Sequence, residues 1–285
     1  MPPRVLKKSR LIGRPTALIF VVFVLVFIST YVVCIRRPEL PYTAFNKPYV
    51  LEMSCSKGEI LYFGTVHTND PSHAMIANIQ KSWRSFGPTV AFSEGGVRPS
   101  VRSLDQAVDR FGEPGALRFL ADRDNVPIRS LDPPLSEQVS WLVNEFSTEK
   151  IKLYFILRQV SQYHRLSQQS SLEEYIRGYL DHLSRHPPLA GSPSNLKEID
   201  EVTKRLMPNL GEWRRASGNW TSPSVSGSFT NVIAKKMKLA RDRHMVSMLV
   251  DEVRKGQRVF AVVGMSHVIW QEEALEAELT AHCSE

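Results

Sequence analysis

Several features that mark common protein classes are missing from this sequence. No glycine-rich phosphate loop and no Gly-x-Ser-x-Gly segment occur, so a P-loop nucleotide site and a serine-hydrolase elbow lack support. The chain has no internal repeat, and its 3 cysteines cannot all pair with one another. With 42% hydrophobic and 23% charged residues, it nevertheless has the composition of a globular protein.

Excess positive charge is absent from most of the chain, although the formal net charge is +7. The residues before Tyr49 account for all of it, because eight basic side chains there are opposed by Glu39 alone. Everything from Tyr49 onward sums to zero. A near-neutral domain has no electrostatic field that could track a polyanion, so we expect no nucleic-acid partner.

A long uncharged segment, residues 17–35, lies within the basic N-terminal region. About 19 residues at roughly 1.5 Å each reach about 28 Å, which is close to the hydrocarbon thickness of a bilayer. A cleaved signal peptide would have a shorter apolar core and a small-x-small cleavage site. This segment ends instead in Cys34-Ile35-Arg36. We therefore predict an uncleaved, single-pass transmembrane anchor whose partner is the lipid bilayer.

The basic residues that flank the anchor are distributed unequally. Five precede it, and Arg36, Arg37 and Lys47 follow it. By the positive-inside rule, residues 1–16 are predicted to be a cytoplasmic tail, with the domain on the extracytoplasmic side. Residues 36–48 contain prolines and little periodicity, and are predicted to form a short stalk.

Two of the cysteines, Cys55 and Cys283, lie near the two ends of the domain that follows the stalk. In an oxidising compartment they could form one disulfide. Two unpaired thiols agree with the sequence equally well. The third cysteine, Cys34, belongs to the predicted anchor, so cysteine content alone does not decide the compartment.

Residues 49–285 carry the signals of an α/β domain. Apolar segments predict strands, and the turn-forming residues between the first two predict a hairpin. Asp70 followed by Pro71 predicts the N-cap of the first helix, and a final helix is predicted at 271–280. From about 134 to 230, apolar spacing of three to four residues predicts a helical insertion. The predicted fold is thus a central mixed β-sheet flanked by helices. The predicted strands span residues 49–53, 59–63, 88–93, 126–131 and 258–263.

Four predicted strands lead into an ionisable residue, namely His67, Glu94, Asp132 and His267. In open α/β sheets the functional crevice lies beyond the carboxyl ends of the strands. These residues could therefore share one rim although they are far apart in sequence. Asp132 precedes two prolines and fits an N-cap of the following helix at least as well, so we leave it out of the predicted site.

The two histidines stand in matching frames, Gly64-Thr65-Val66-His67 and Gly264-Met265-Ser266-His267. A glycine directly after an apolar strand permits a sharp turn and close approach of the backbone. Two histidines and one carboxylate form the ligand set of many catalytic metal sites, so His67, His267 and Glu94 are predicted to hold a divalent metal ion. The alternatives are strand-end histidines bonded to backbone and a solvated loop glutamate.

These frames, with Glu94 between them, resemble the signature of the TIKI/TraB/PrgY/GumN superfamily. A further match is Arg241-Asp242-Arg243-His244-Met245, which is similar to the Arg-Asp/Asn-x-x-Met segment of that family. The resemblance implies a metal-dependent hydrolase that is peptidase-like. It places His67, Glu94 and His267 at the metal or catalytic centre, with Arg241 in the same cleft.

The resemblance leaves several roles open. Glu94 would be either a third metal ligand or a general base, and Arg241 would stabilise an oxyanion or hold a substrate carboxylate. The ion could be Zn, Mn or Co, and the substrate a peptide or another small molecule. Distant erythromycin-esterase-like and ChaN-like haem-binding relatives suggest an alternative, in which the same fold binds haem, a metal or a peptide signal without turnover.

Three further histidines are weaker candidates for metal ligands. His182 and His186 are four residues apart on a predicted helix, but the glutamate that metalloprotease helices place after the first histidine is missing. Histidines in a last helical turn are also explained by the helix dipole. His73 is expected to face solvent, although it could approach His67.

Overall fold

The computed structural model describes residues 47–164 and 170–283. The predicted cytoplasmic tail, the predicted membrane anchor and nearly all of the predicted stalk lie in residues 1–46, outside the described residues. Within the two described ranges, no helix is long and apolar enough to cross a membrane.

The centre of the domain is a five-stranded mixed sheet with the order β1-β2-β5-β3-β4. Its strands are β1 (Tyr49–Ser54), β2 (Glu59–Thr65), β3 (Val90–Ser93), β4 (Ile128–Ser130) and β5 (Arg258–Gly264). β1 and β2 form the predicted antiparallel hairpin, in which the Cys55 N–H donates to the Gly58 carbonyl at 3.0 Å. β2, β5, β3 and β4 run parallel. The predicted α/β class is confirmed.

Eight α-helices occur in the described residues. They are α1 (Ala74–Phe86), α2 (Leu104–Arg123), α3 (Leu135–Ser140), α4 (Thr148–Tyr163), α5 (Leu172–Ser184), α6 (Leu196–Leu206), α7 (Phe229–Arg254) and α8 (Met265–Cys283).

Helices cover both faces of the sheet, because its central strands are apolar on both sides. β2 directs Ile60 and Tyr62 to one face, where they pack with α7 and α8. It directs Leu61 and Phe63 to the other face, where they pack with α1 and α2. β5 is the last strand in sequence but lies between β2 and β3. It therefore brings the C-terminal part of the domain beside the N-terminal part at the strand ends.

The segment between β4 and β5 forms a hydrophobic cluster of its own. Helices α3 to α6 and the first half of α7 enclose it around buried residues such as Leu153, Ile156 and Trp213. Lys152 is fully buried in the same segment, where its Nζ donates to the Gly191 carbonyl at 2.7 Å. This segment is helical, as the apolar spacing predicts, and its core is separate from the two clusters on the sheet.

Two helices begin at residues other than those predicted. The N-cap of α1 is His73, whose Nδ1 accepts the Met75 N–H at 3.2 Å. The prediction of Asp70 as the cap is wrong, because its carboxylate accepts the Ser72 N–H at 2.8 Å and closes the preceding turn instead. α8 begins at Met265, directly after β5, rather than near residue 271. No loop intervenes, so the second Gly-x-x-His frame starts a helix.

Candidate functional site

The carboxyl ends of the parallel strands gather ionisable side chains from five parts of the chain. Glu94 follows β3 directly, and Asp132 follows β4 after one intervening residue. His67 stands in the loop after β2, whereas His267 lies in the first turn of α8, directly after β5. Arg241 reaches the same edge from the middle of α7. The two matching frames therefore have different local structures, although both end at one rim.

Glu94 lies at the centre of this group. Its Oε1 is 3.2 Å from Nε2 of His267 and 3.3 Å from Nη2 of Arg241. Its Oε2 accepts the Gly264 N–H at 2.9 Å. Burial alone would raise the pKa of this carboxyl, but the charges and hydrogen bonds of His267, Arg241 and Gly264 hold the pKa well below its ordinary range. Glu94 is therefore an ionised carboxylate at neutral pH.

His267 is held on both ring nitrogens by carboxylates. Its Nδ1 lies 2.8 Å from Oδ1 of Asp242, while its Nε2 faces Glu94. Burial lowers the pKa of the imidazole, but the Glu94 charge and the hydrogen bonds to Asp242 and Glu94 outweigh burial and raise it to about 9. A cation in the first turn of α8 is also opposed by the helix dipole, so the two carboxylates are what keep this ring protonated.

Arg241 is buried, with 9% of its surface exposed, and it is shared by two carboxylates. Its Nε donates to Oδ1 of Asp132 at 3.1 Å, and its Nη2 contacts both Asp132 and Glu94. The other carboxylate oxygen of Asp132 accepts the Gly95 N–H at 2.5 Å. Burial lowers the pKa of Arg241, but these two charges raise it above its ordinary value. The guanidinium therefore positions Glu94 rather than standing open for a ligand.

His67 is the exposed member of the group, with 72% of its side chain accessible to solvent. Its Nδ1 lies 3.7 Å from Oε2 of Glu113. Its Nε2 lies 3.3 Å from the position that a Cβ atom would take at Gly264, and Oε2 of Glu94 lies 3.4 Å from the same position. The side chains of His67 and Glu94 thus both lie beside the backbone of Gly264.

Glu113 reaches His67 because α2 is interrupted. Gly112 adopts a left-handed φ of 63° inside this helix, and Pro114 follows two residues later. The break places the Glu113 carboxylate, of which 3% is exposed, where its Oε1 accepts the Thr68 N–H at 2.5 Å. The carboxylate consequently fixes both the loop after β2 and the Nδ1 side of the His67 ring.

Three site residues were outside the set predicted from sequence. Asp132 was left out because it fits the N-cap of the following helix at least as well as a site residue. In the structure Pro134 occupies the N-cap position of α3, and Asp132 binds Arg241. Asp242 is adjacent to Arg241 in sequence yet binds His267 instead. The glycine and proline around Glu113 signal a helix break, which is the one sequence feature that could have drawn attention to it.

The donor set fits a divalent cation in its chemistry and in the orientation of its rings. Each imidazole has a carboxylate on its Nδ1 side and directs Nε2 toward Glu94 or Gly264, which is the arrangement of many histidine ligands. As they stand, no three His, Cys, Asp or Glu side chains in the described ranges are placed so that they could hold a metal ion. Ligation would therefore require the exposed His67 to move toward Glu94.

The second histidine pair forms no such centre. The ring centroids of His182 and His186 are 5.5 Å apart in an edge-to-face arrangement. No third ligand completes a metal-binding group with them in the part of the chain that the structure describes. The pair is explained by a ring contact at the end of α5.

Comparison of the chain with models of protein families, with curated proteins and with solved structures gives no match. The resemblance to the TIKI/TraB/PrgY/GumN superfamily therefore stays a prediction that rests on the quoted motifs. The function of the site has to be argued from its own geometry.

Proposed function

We propose that this chain is a metal-dependent, peptidase-like hydrolase whose reaction centre lies at Glu94. One observation carries the proposal: two imidazoles from opposite ends of the domain approach one ionised carboxylate. A further carboxylate, Asp242 or Glu113, stands behind each imidazole. Such pairing of histidine and carboxylate is typical of catalytic centres and costly to assemble for stability alone.

His67, Glu94 and His267 would hold the metal ion. Asp242 keeps a proton on Nδ1 of His267 and thereby presents Nε2 as a ligand once that atom loses its own proton. A bound divalent ion would supply Lewis acidity toward a carbonyl and make a water more acidic. A carboxylate with a strongly lowered pKa is a weak base, which favours the ligand role of Glu94 over the general-base role.

Arg241 has a positioning role in this proposal. Its guanidinium is shared by Asp132 and Glu94, so it fixes the Glu94 carboxylate through charge-assisted hydrogen bonds. The family resemblance implies two other roles for Arg241, namely contact with an oxyanion or with a substrate carboxylate. Either role would require Asp132 or Glu94 to move away from the guanidinium. We therefore assign Arg241 to the support of Glu94.

The hydrolase proposal is tested with the full chain, purified in detergent and loaded in turn with Zn, Mn or Co. A pool of peptides with randomised sequence is incubated with it, and cleavage is followed by mass spectrometry. His67→Ala and Glu94→Gln are each expected to reduce the turnover rate at least about 100-fold. His182→Ala, which changes an exposed histidine on α5, is the control and should leave turnover unchanged.

The variants also separate the proposed function from its alternative. Turnover that persists in both His67→Ala and Glu94→Gln would exclude this centre. A coloured cofactor that copurifies with the chain, or retention of peptides without cleavage, would favour the non-catalytic protein that binds haem, a metal or a peptide signal. His67→Ala is the more informative variant, because the exposed side chain can be removed without opening the core.

We further propose that residues 17–35 anchor the chain in a membrane, with the domain on the extracytoplasmic side. Cys55 is disulfide-bonded, and disulfides persist mainly in oxidising compartments outside the cytoplasm. The side chain of Cys283, one possible partner, lies outside the described part of the chain. The expected result is retention in membranes after alkaline extraction, with digestion by protease added to the outside. Release by alkali, or protection from external protease, would contradict the assignment.

A further inference from the structure

Arg98 lies on the loop that carries Glu94. Gly95 and Gly96 both have left-handed φ values, 79° and 85°, which glycine adopts without steric strain. The Ser93 hydroxyl donates to the Gly96 carbonyl at 3.0 Å and closes this turn. The chain folds back on itself, so that Nη2 of Arg98 lies 2.9 Å from the position a Cβ atom would take at Gly95. The guanidinium is therefore held one residue away from Glu94.

No carboxylate in residues 47–164 or 170–283 forms an ion pair with this guanidinium. Within the same described residues its buried Nε has no hydrogen-bond partner. Arg241, the other arginine at this edge, is shared by Asp132 and Glu94. Buried donors in native proteins are nearly always paired with protein, water or a ligand. The described part of the chain thus leaves the accessible donors Nη1 and Nη2 of Arg98 without a hydrogen-bond partner.

The ion pairs at the strand ends are formed without Arg98. In this network each of three carboxylates is paired with basic side chains other than Arg98. Its members are Asp132, Arg241, Glu94, His267, Asp242 and Lys238. Arg98 adds a positive charge beside this network, and an anionic group that approaches Glu94 would be attracted by it.

We propose that Arg98 binds a carboxylate of the substrate and so makes carboxylate-bearing peptides the preferred substrates of the site. The inference rests on the proposed function, which supplies the peptide. A guanidinium donates two parallel hydrogen bonds to a carboxylate. Nε of Arg98 is buried, whereas Nη1 and Nη2 are not among the buried atoms, so the edge formed by these two nitrogens would bind the carboxylate. The carboxylate could be the free C-terminus of the peptide or an acidic side chain, since the chemistry is the same.

The test measures binding rather than turnover. The full chain in detergent, immobilised and loaded with Mn, is offered three pools of random hexapeptides. The first has free C-termini and no acidic residues, the second has amidated C-termini and no acidic residues, and the third has amidated C-termini with Asp and Glu. Capture is quantified by mass spectrometry. We expect the first or the third pool to be enriched about 10- to 100-fold over the second, and the enriched pool identifies the source of the carboxylate.

Variants assign the enrichment to Arg98. Arg98→Gln should abolish it, and Arg98→Lys, which keeps the charge but not the fork, should reduce it less. Arg102→Gln removes the same charge from an exposed arginine four residues further along and should leave it unchanged. Equal capture of all three pools, no capture of any, or the same loss in Arg102→Gln as in Arg98→Gln would overturn the inference.

The two proposals fail separately. Enrichment that depends on Arg98 in a chain that cleaves no peptide would leave the carboxylate site standing and remove the hydrolase. Cleavage that depends on His67 and Glu94 but shows no preference for peptides with carboxylates would support the hydrolase and contradict the carboxylate site at Arg98.

Discussion

Asp242 accepts a hydrogen bond from Nδ1 of His267 at 2.8 Å, and this contact determines which ring nitrogen faces Glu94. Asp242 is itself held by Gln271, whose side-chain amide donates to it at 2.8 Å. The Gln271 carbonyl oxygen accepts the buried Tyr62 hydroxyl at 2.7 Å. A hydrogen-bonded chain therefore links the site to the interior of β2, so that the orientation of His267 depends on the core of the sheet.

Removal of the Asp242 charge should lower the pKa of His267 from about 9 toward its ordinary value of 6.5. The test variant is Asp242→Asn, which keeps the shape of the side chain but removes the charge that stabilises the imidazolium. The pKa is measured from the His267 ring protons by NMR titration of chelator-treated protein. Asp251→Asn, an exposed position on the same helix, is the control. A His267 pKa that is the same in both variants would contradict the assigned geometry.

The stability of the metal-free protein should depend on pH through the same group. The folded state raises the pKa of His267, so this group's contribution is fully present below about pH 6.5 and is lost as the pH rises through about 9. The expected loss over this range is roughly 3 kcal/mol. It is measured by denaturant unfolding across the range, and Asp242→Asn should give a flatter dependence. A free energy of unfolding that rises between these pH values would show that His267 is not held as a cation.

Replacement of Arg241 should destabilise the fold more than any exposed charge on α7. Arg241→Met leaves Asp132 and Glu94 close together without the cation between them, and the expected loss in the free energy of unfolding is about 3–5 kcal/mol. Arg243→Met, which changes an exposed arginine on the same helix, should stay within about 0.5 kcal/mol of the wild type. Similar losses in the two variants would mean that Arg241 is not part of a buried network.

Most of the sheet could be predicted from the sequence, because its strands are short apolar runs bounded by turn residues. The same pattern identified Glu94 and His267 as residues at strand ends, since the parallel strands β2, β3 and β5 all end at one edge. Helical boundaries were less predictable. His73 replaces Asp70 as the cap of α1, because Nδ1 of His73 accepts the free Met75 N–H while the Asp70 carboxylate accepts the Ser72 N–H.

The carboxylates behind the histidines could not be predicted from the sequence. Asp242 stands beside Arg241, and a linear pattern gives no indication that the two side chains serve different partners on the helix. Glu113 depends on a break inside α2, and the direction of a chain after such a break is decided by tertiary packing. The contacts that orient the site therefore depend on tertiary packing. The positions of its central residues at the strand ends follow from local sequence patterns.

The glycines of the two Gly-x-x-His frames should respond differently to alanine. The three atoms nearest to a Cβ atom at Gly264 would be side-chain atoms of His67 and Glu94, at 3.3 to 3.5 Å. Gly264→Ala should therefore fold with a stability change within about 1 kcal/mol, while His67 is displaced from Glu94. The displacement is read from the NMR signals of the His67 ring, and turnover should fall with it.

Gly64→Ala is the matched comparison, because its Cβ atom would meet backbone atoms that cannot rotate away. It would lie 2.8 Å from Cα of Met265 and 3.0 Å from the Tyr49 carbonyl oxygen. We expect a loss of about 1–3 kcal/mol in the free energy of unfolding, because the hairpin and the start of α8 would have to separate. Neither glycine has a left-handed φ, so close approach rather than a sharp turn explains both frames. Equal stability losses in Gly64→Ala and Gly264→Ala would contradict this distinction and, with it, the placement of the His67 and Glu94 side chains beside Gly264.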